Sequence, residues 1–192
     1  MLKILIANQN LIRNQPLKQL LIESGFEVIG LIENTINLEV NCVELKPDLA
    51  IIDIESLDHA SLENIYKATA QVVCPILIFT HDADKEKIKT ATQAGVSAYV
   101  VGDVSNDRLI SVIDAAIARF VEVKSLRLAL NVANTKLDER KIIERAKGLL
   151  MKQRALDEDE AYQLMRSMAM KKNMKLADLS HQLIETAKKL IV

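Results

Sequence analysis

The sequence predicts a doubly wound parallel α/β domain followed by a small all-α module, with one long helix connecting them. Three observations carry this. Up to about residue 121, five short apolar runs alternate with stretches of helical periodicity. From Asp107 to Arg154 there is no proline and a single glycine, Gly148, so nothing obvious stops a helix. The charge is also split. Residues 1–120 hold 10 Lys and Arg against 16 Asp and Glu, a net of −6, whereas residues 121–192 hold 15 against 10, a net of +5.

Taken in order, Lys3–Ala7 is a nearly continuous apolar run, the pattern of a strand covered on both faces. Leu17, Leu20 and Leu21 recur at helical spacing over Pro16–Ser24, and Gly25 stops that helix. Phe26–Ile32 is the second strand, and a helix over Ile36–Leu45 ends before Pro47. Asp48–Asp53 is the third strand, with an acid at its carboxyl end. Ser61–Ala70 reads as a helix, Pro75–Thr80 as the fourth strand, Lys85–Ala94 as a helix closed by Gly95, and Ala98–Val101 as the fifth strand. A last helix starts near Asn106 or Asp107 and runs through Phe120. Right-handed crossovers join five such units into one parallel sheet, whose ligand chemistry gathers at the carboxyl ends of the strands.

Beyond residue 120, Val123, Leu126, Leu130, Ala133 and Leu137 recur at 3-4-3-4 spacing, an a/d seam about two heptads long. It suits a homodimer or a helix packed against its own C-terminal module. Three helices follow. Lys141–Arg154 has an apolar face of Ile142, Ile143, Ala146, Leu149 and Leu150. The next opens at Asp157, with Glu160 three residues on as in a capping box, and buries Ala161, Leu164, Met165, Met168 and Ala169. The third spans Lys175–Leu190, with Leu176, Leu179, Leu183, Ile184 and Ala187 on one side.

Composition excludes several classes. Trp is absent and aromatic residues make up 3% of the chain, so the core is aliphatic. Cys42 and Cys74 are far apart in sequence and match no metal spacing; they read as reduced, buried thiols. No apolar run reaches the ~20 residues of a membrane span, and Met1-Leu2-Lys3 leads straight into a strand rather than a signal sequence, so a cytoplasmic protein is expected. His59, His81 and His181 stand in separate segments, and no pairing of His, Cys and carboxylates points to catalysis, a metal or a cofactor.

Residues 1–121 resemble the receiver domain of bacterial response regulators. Asp53 stands where that family has its phospho-accepting aspartate, Thr80 where it has a hydroxyl that reports the phosphate, and Gly95–Tyr99 before the fifth strand also fits. The departures matter more. The family needs an acidic pair after the first strand to hold Mg²⁺, and this chain has Asn8 and Gln9. It also needs a lysine after the fifth strand, and this chain reads Val101-Gly102-Asp103. With both acids and the cation gone, nothing neutralises an incoming phosphoryl group. The resemblance therefore implies a pseudo-receiver that makes protein contacts.

The C-terminal segments Ile143–Met151, Asp159–Arg166 and Ala169-Met170 are similar to the ANTAR domain, the RNA-binding module of transcription antitermination regulators. It would span 131–192, after a helical linker and seam over 122–138. Within that family, the pairing with a pseudo-receiver is most similar to the nitrate/nitrite-responsive NasT branch, and the AmiR branch is more distant. The resemblance implies binding to a leader mRNA with tandem hairpins, so that a terminator does not form. It also implies control by a nitrate-sensing, NasS-like partner protein.

The basic side chains fit phosphate contacts: Lys147, Arg166, Arg145, Lys152, Arg154, Lys171 and Lys172, with Tyr162 four residues before Arg166 to stack on an unpaired base. Two other readings remain for the same residues. One is a DNA-binding response regulator, against which the Arg154–Asp157 connection lacks the tight turn of a helix-turn-helix. The other is an adaptor that binds proteins only.

Overall fold

The computed structural model describes residues 1–8, 14–71 and 74–189. Five βα pairs come first: β1 Lys3–Asn8, α1 Asn14–Glu23, β2 Glu27–Ile32, α2 Leu38–Leu45, β3 Leu49–Asp53, α3 His59–Gln71, β4 Ile76–Thr80, α4 Lys85–Gln93, β5 Ala98–Val101 and α5 Asn106–Arg154. Two further helices complete the chain, α6 Glu158–Lys171 and α7 Leu176–Lys189. The strands form one sheet in the order β2-β1-β3-β4-β5, every neighbouring pair parallel. This is the doubly wound α/β architecture expected from the alternation of elements, followed by helices alone. No helix among the described residues is long and apolar enough to cross a membrane.

The chain divides into two compact units, Met1–Lys124 and Ser125–Val192. In the first, alternate residues of each strand serve opposite faces of the sheet. Leu5, Ala7, Ala50, Ile52, Ile76 and Ile78 pack with Leu38 and Cys42 of α2, Ile65 and Ala68 of α3 and Ala91 of α4. Ile4, Ile6, Leu49, Ile51, Leu77 and Phe79 pack with Leu21 of α1 and Leu109 and Ile113 of α5. Cys42 and Cys74, distant in sequence, lie together in the first of these layers as free, buried thiols. Hydrogen bonding to the Cys74 sulfur, and then burial, push the Cys42 thiol up.

One helix start departs from its sequence reading for an identifiable reason. Helix α3 begins at His59 rather than Ser61, because the Asp58 carboxylate accepts the Ser61 backbone N–H at 2.7 Å and so caps the helix two residues earlier. Helix α2 is apolar on two sides. Leu38 and Cys42 face the core, while Val40 and Val43, with Ile36 just before the helix, lie opposite, exposed to 54%, 56% and 69%. An amphipathic surface helix has one such stripe, not two.

The second unit is built as its periodicity dictates. Ala146 and Leu150 of α5, Ala161, Met165 and Ala169 of α6 and Leu179 and Ile184 of α7 form its core. The α6 start is a complete capping box. Asp157 Oδ1 accepts the Glu160 N–H at 2.8 Å, and Glu160 Oε2 accepts the Asp157 N–H at 3.0 Å. The connection before it is tight, with Ala155 in the left-handed region at φ 51°, which corrects the sequence reading that Arg154–Asp157 lacks a tight turn.

Candidate nucleic-acid interface

In the first unit, the carboxyl ends of the strands bring together most of the residues singled out for the receiver-like pocket. Asn8 and Asp53 are register partners at the ends of β1 and β3, and the Asn8 amide donates to Asp53 Oδ2 at 2.8 Å. Asn8 is buried. That amide brings no charge of its own where the receiver family has an acid. No cluster of three or more metal-binding side chains occurs among the described residues. The residues present therefore do not fit the Mg²⁺ of the receiver family, and no step is derived through it.

Thr80 is equally engaged. Its hydroxyl donates to the Glu55 carbonyl at 2.8 Å and accepts the Asp82 N–H at 3.1 Å. Gly102, where the family has a lysine nearby, sits at φ 87° and donates its N–H to the Thr80 carbonyl at 2.8 Å, a left-handed turn that favours glycine. Gln9 lies outside the described residues. Beside the pocket is a cluster that sequence reasoning missed. Lys87 Nζ donates to Asp82 Oδ2 at 2.6 Å and to Ser56 Oγ at 2.8 Å, and the Ser56 hydroxyl donates to Asp82 Oδ2 at 2.6 Å. These bonds tie the β3–α3 loop to the start of α4 and hold the Asp82 carboxyl down at about 2. The three residues come from different segments, so no sequence spacing announces them.

In the second unit, the candidate RNA contacts separate into two kinds. Arg145, Lys152 and Arg154 on α5, Tyr162 and Arg166 on α6, and Lys171 and Lys172 at the α6 end are exposed. Lys171 and Lys172 also stand where cations favour a helix C-terminus. Tyr162, Arg166 and Met170 recur every four residues along one side of α6, and Met170 is 73% exposed. Arg166 and Met170, with Gln163, Ser167 and Lys171, line a shallow depression.

Lys147 differs, and its reading as a phosphate contact is corrected. Its side chain is 9% exposed, and its Nζ lies 2.7 Å from Glu144 Oε2 and 2.6 Å from Glu158 Oε1. Those two carboxylates hold its pKa above the usual lysine range. It joins α5 to the first turn of α6, a role invisible in sequence because Glu158 lies across a helix connection.

The seam residues Val123, Leu126, Leu130, Ala133 and Leu137 are exposed on α5, Leu126 and Leu130 to 63% and 60%.

Residues 132–184 match the ANTAR domain. Over 186 residues the chain is 29% identical to the transcriptional regulatory protein PdtaR of Mycobacterium tuberculosis, covering 96% of this chain and 90% of that one. A 63-residue stretch is 38% identical to a nitrate regulatory protein of Klebsiella oxytoca, covering 33% of this chain and 16% of that one. Among solved structures, the signal receiver domain of a modulated diguanylate cyclase from Desulfovibrio desulfuricans G20 is similar at TM-score 0.56 and 24% identity, covering 62% of this chain and 96% of that one, a likeness of fold alone. The chain thus pairs an N-terminal α/β domain with the fold of solved signal receiver domains and a C-terminal segment, 132–184, that matches the ANTAR domain.

Proposed function

We propose that this chain is an RNA-binding transcription antiterminator. It binds a leader transcript with two tandem hairpins through the ANTAR unit and is switched by a partner protein rather than by phosphorylation. The observation that carries the reading is the exposed α6 row of Tyr162, Arg166 and Met170, lying within the match to an RNA-binding domain family. Hairpin loops offer unstacked bases, and an aromatic ring beside a guanidinium is a platform for them. Arg145, Lys152, Arg154, Lys171 and Lys172 supply phosphate contacts.

Genes of nitrate or nitrite assimilation are the proposed targets, on the short likeness to the Klebsiella nitrate regulatory protein. Control by a partner is supported by Asn8, a neutral amide hydrogen-bonded to Asp53 where the receiver family has an acid to hold Mg²⁺. The outward row of Ile36, Val40 and Val43 offers that partner, a nitrate-sensing protein, an apolar surface to cover. The seam at Val123, Leu126, Leu130, Ala133 and Leu137 joins two copies of the chain.

The test is a purified transcription system with a two-hairpin leader ahead of a terminator. Adding the protein raises read-through, and acetyl phosphate with Mg²⁺ changes neither read-through nor the intact mass of the protein. Read-through unaffected by the protein would reject antitermination. Stoichiometric phosphorylation at Asp53 would reject the switch.

A further inference from the structure

Four of the five glycines have a reason inside the chain. Gly25 and Gly102 sit at φ 87°, a backbone conformation that other residues rarely adopt, and Gly95 sits at φ 99°. A Cβ on Gly30 would meet side-chain carbons of Leu45 and Leu5 at 2.9 Å. Gly148 has neither reason. It lies inside α5, well short of Arg154 where the helix ends, and a Cβ built on it meets nothing within 4 Å. Glycine is the poorest helix former apart from proline, so this position weakens α5 with no intramolecular return.

Its neighbours indicate what approaches it. Lys141, Arg145, Gly148 and Lys152 fall within about 60° of one another around the helix. The three cations are exposed. The closest acid in the same turn, Glu144, is 2.7 Å from the ammonium of Lys147, which it shares with Glu158, so its charge is partly offset from within. Lys141 Nζ lies 3.6 Å from Asp138 Oδ1, an exposed contact that solvent screens heavily. The result is a basic strip with a notch in its middle.

We infer that the sugar-phosphate backbone of the bound RNA crosses α5 over Gly148, between Arg145 and Lys141 on one side and Lys152 on the other. This rests on the RNA reading above. It adds a second contact surface, separate from the α6 row that faces the bases. The missing Cβ lets the strand approach the helix, and the flanking cations take its phosphates.

The test uses the full chain and a two-hairpin RNA selected from a loop-randomised pool. Gly148→Ala raises the melting temperature by about 3–6 °C, because alanine is the better helix former. The same change weakens RNA binding about ten-fold with the salt dependence unaltered, since a clash removes no charge. Lys141→Ala with Lys152→Ala lowers the slope of log affinity against log salt by about 1–2. If Gly148→Ala binds the RNA as tightly as wild type while Arg166→Ala does not, the strip is refuted and the RNA reading stands. If Gly148→Ala instead alters sedimentation and leaves RNA affinity intact, the notch serves a second copy of the chain, and the strip is again refuted. If wild type shows no preference for the selected RNA over duplex DNA, the RNA reading itself is lost.

Discussion

Lys147 stands between two glutamates with its stem buried, so its charge is compensated inside the protein before any ligand arrives. Arg166 is exposed on α6. The two cations should therefore separate in a salt titration. Arg166→Ala is expected to lower the slope of log affinity for RNA against log salt by about 1, whereas Lys147→Met leaves the slope unchanged and lowers the melting temperature by a few degrees. Equal slope changes in the two variants would contradict the assignment. Asp82 gives a prediction in pH. Hydrogen bonds from Lys87, then Ser56, then the Asp84 N–H lower its pKa from 3.8 to about 2. A depressed carboxylate contributes stability that is present above its ordinary value and lost as pH falls through the folded one. Melting temperatures of wild type should therefore drop between about pH 4 and 2, and Asp82→Asn should remove that part of the drop.

At the scale of elements, the connection between α5 and α6 combines a stabilising device with a strained residue. The reciprocal hydrogen bonds of Asp157 and Glu160 fix where α6 starts, so Asp157→Ala is expected to destabilise the unit by about 0.5–2 kcal/mol. Two residues earlier, Ala155 is held at φ 51°, where a Cβ is unfavourable, and Ala155→Gly should stabilise by up to about 1 kcal/mol. Chemical denaturation of the two variants, shifting in opposite directions, checks both.

These elements also mark what the sequence made legible. The capping box, the apolar faces of the last three helices and the five strands follow from spacing alone, because burial imposes a period of about two or four residues. Start positions were less legible where one side chain decides them, as Asp58 does for α3. The candidate interface was half legible. Tyr162 and Arg166 lie on one helix, and their spacing places them together. Lys147 was misread because its partner Glu158 arrives only when the chain turns after Arg154. The Ser56, Asp82 and Lys87 cluster was hidden for the same reason, since it is assembled from two loops and the start of α4.

At the scale of the whole molecule, the acidic front and basic back coincide with two units of different construction. Met1–Lys124 has the receiver fold, with Asp53 Oδ2 hydrogen-bonded to Asn8, and Ser125–Val192 is a helical unit with cations on its surface. Neither fold nor net charge chooses between RNA and duplex DNA, because both present phosphates and both respond to salt. The distinction lies in the bases. A stacking row needs unpaired bases, whereas duplex readout needs a helix or ribbon that enters the major groove. The most direct measurement is a gel shift of the full chain at matched salt, comparing two-hairpin leader RNA with duplex DNA of the same sequence, repeated with Tyr162→Ala. The account predicts a strong preference for the RNA and an about ten-fold loss of RNA affinity in Tyr162→Ala. Equal or tighter binding to the duplex, undisturbed by Tyr162→Ala, would contradict it.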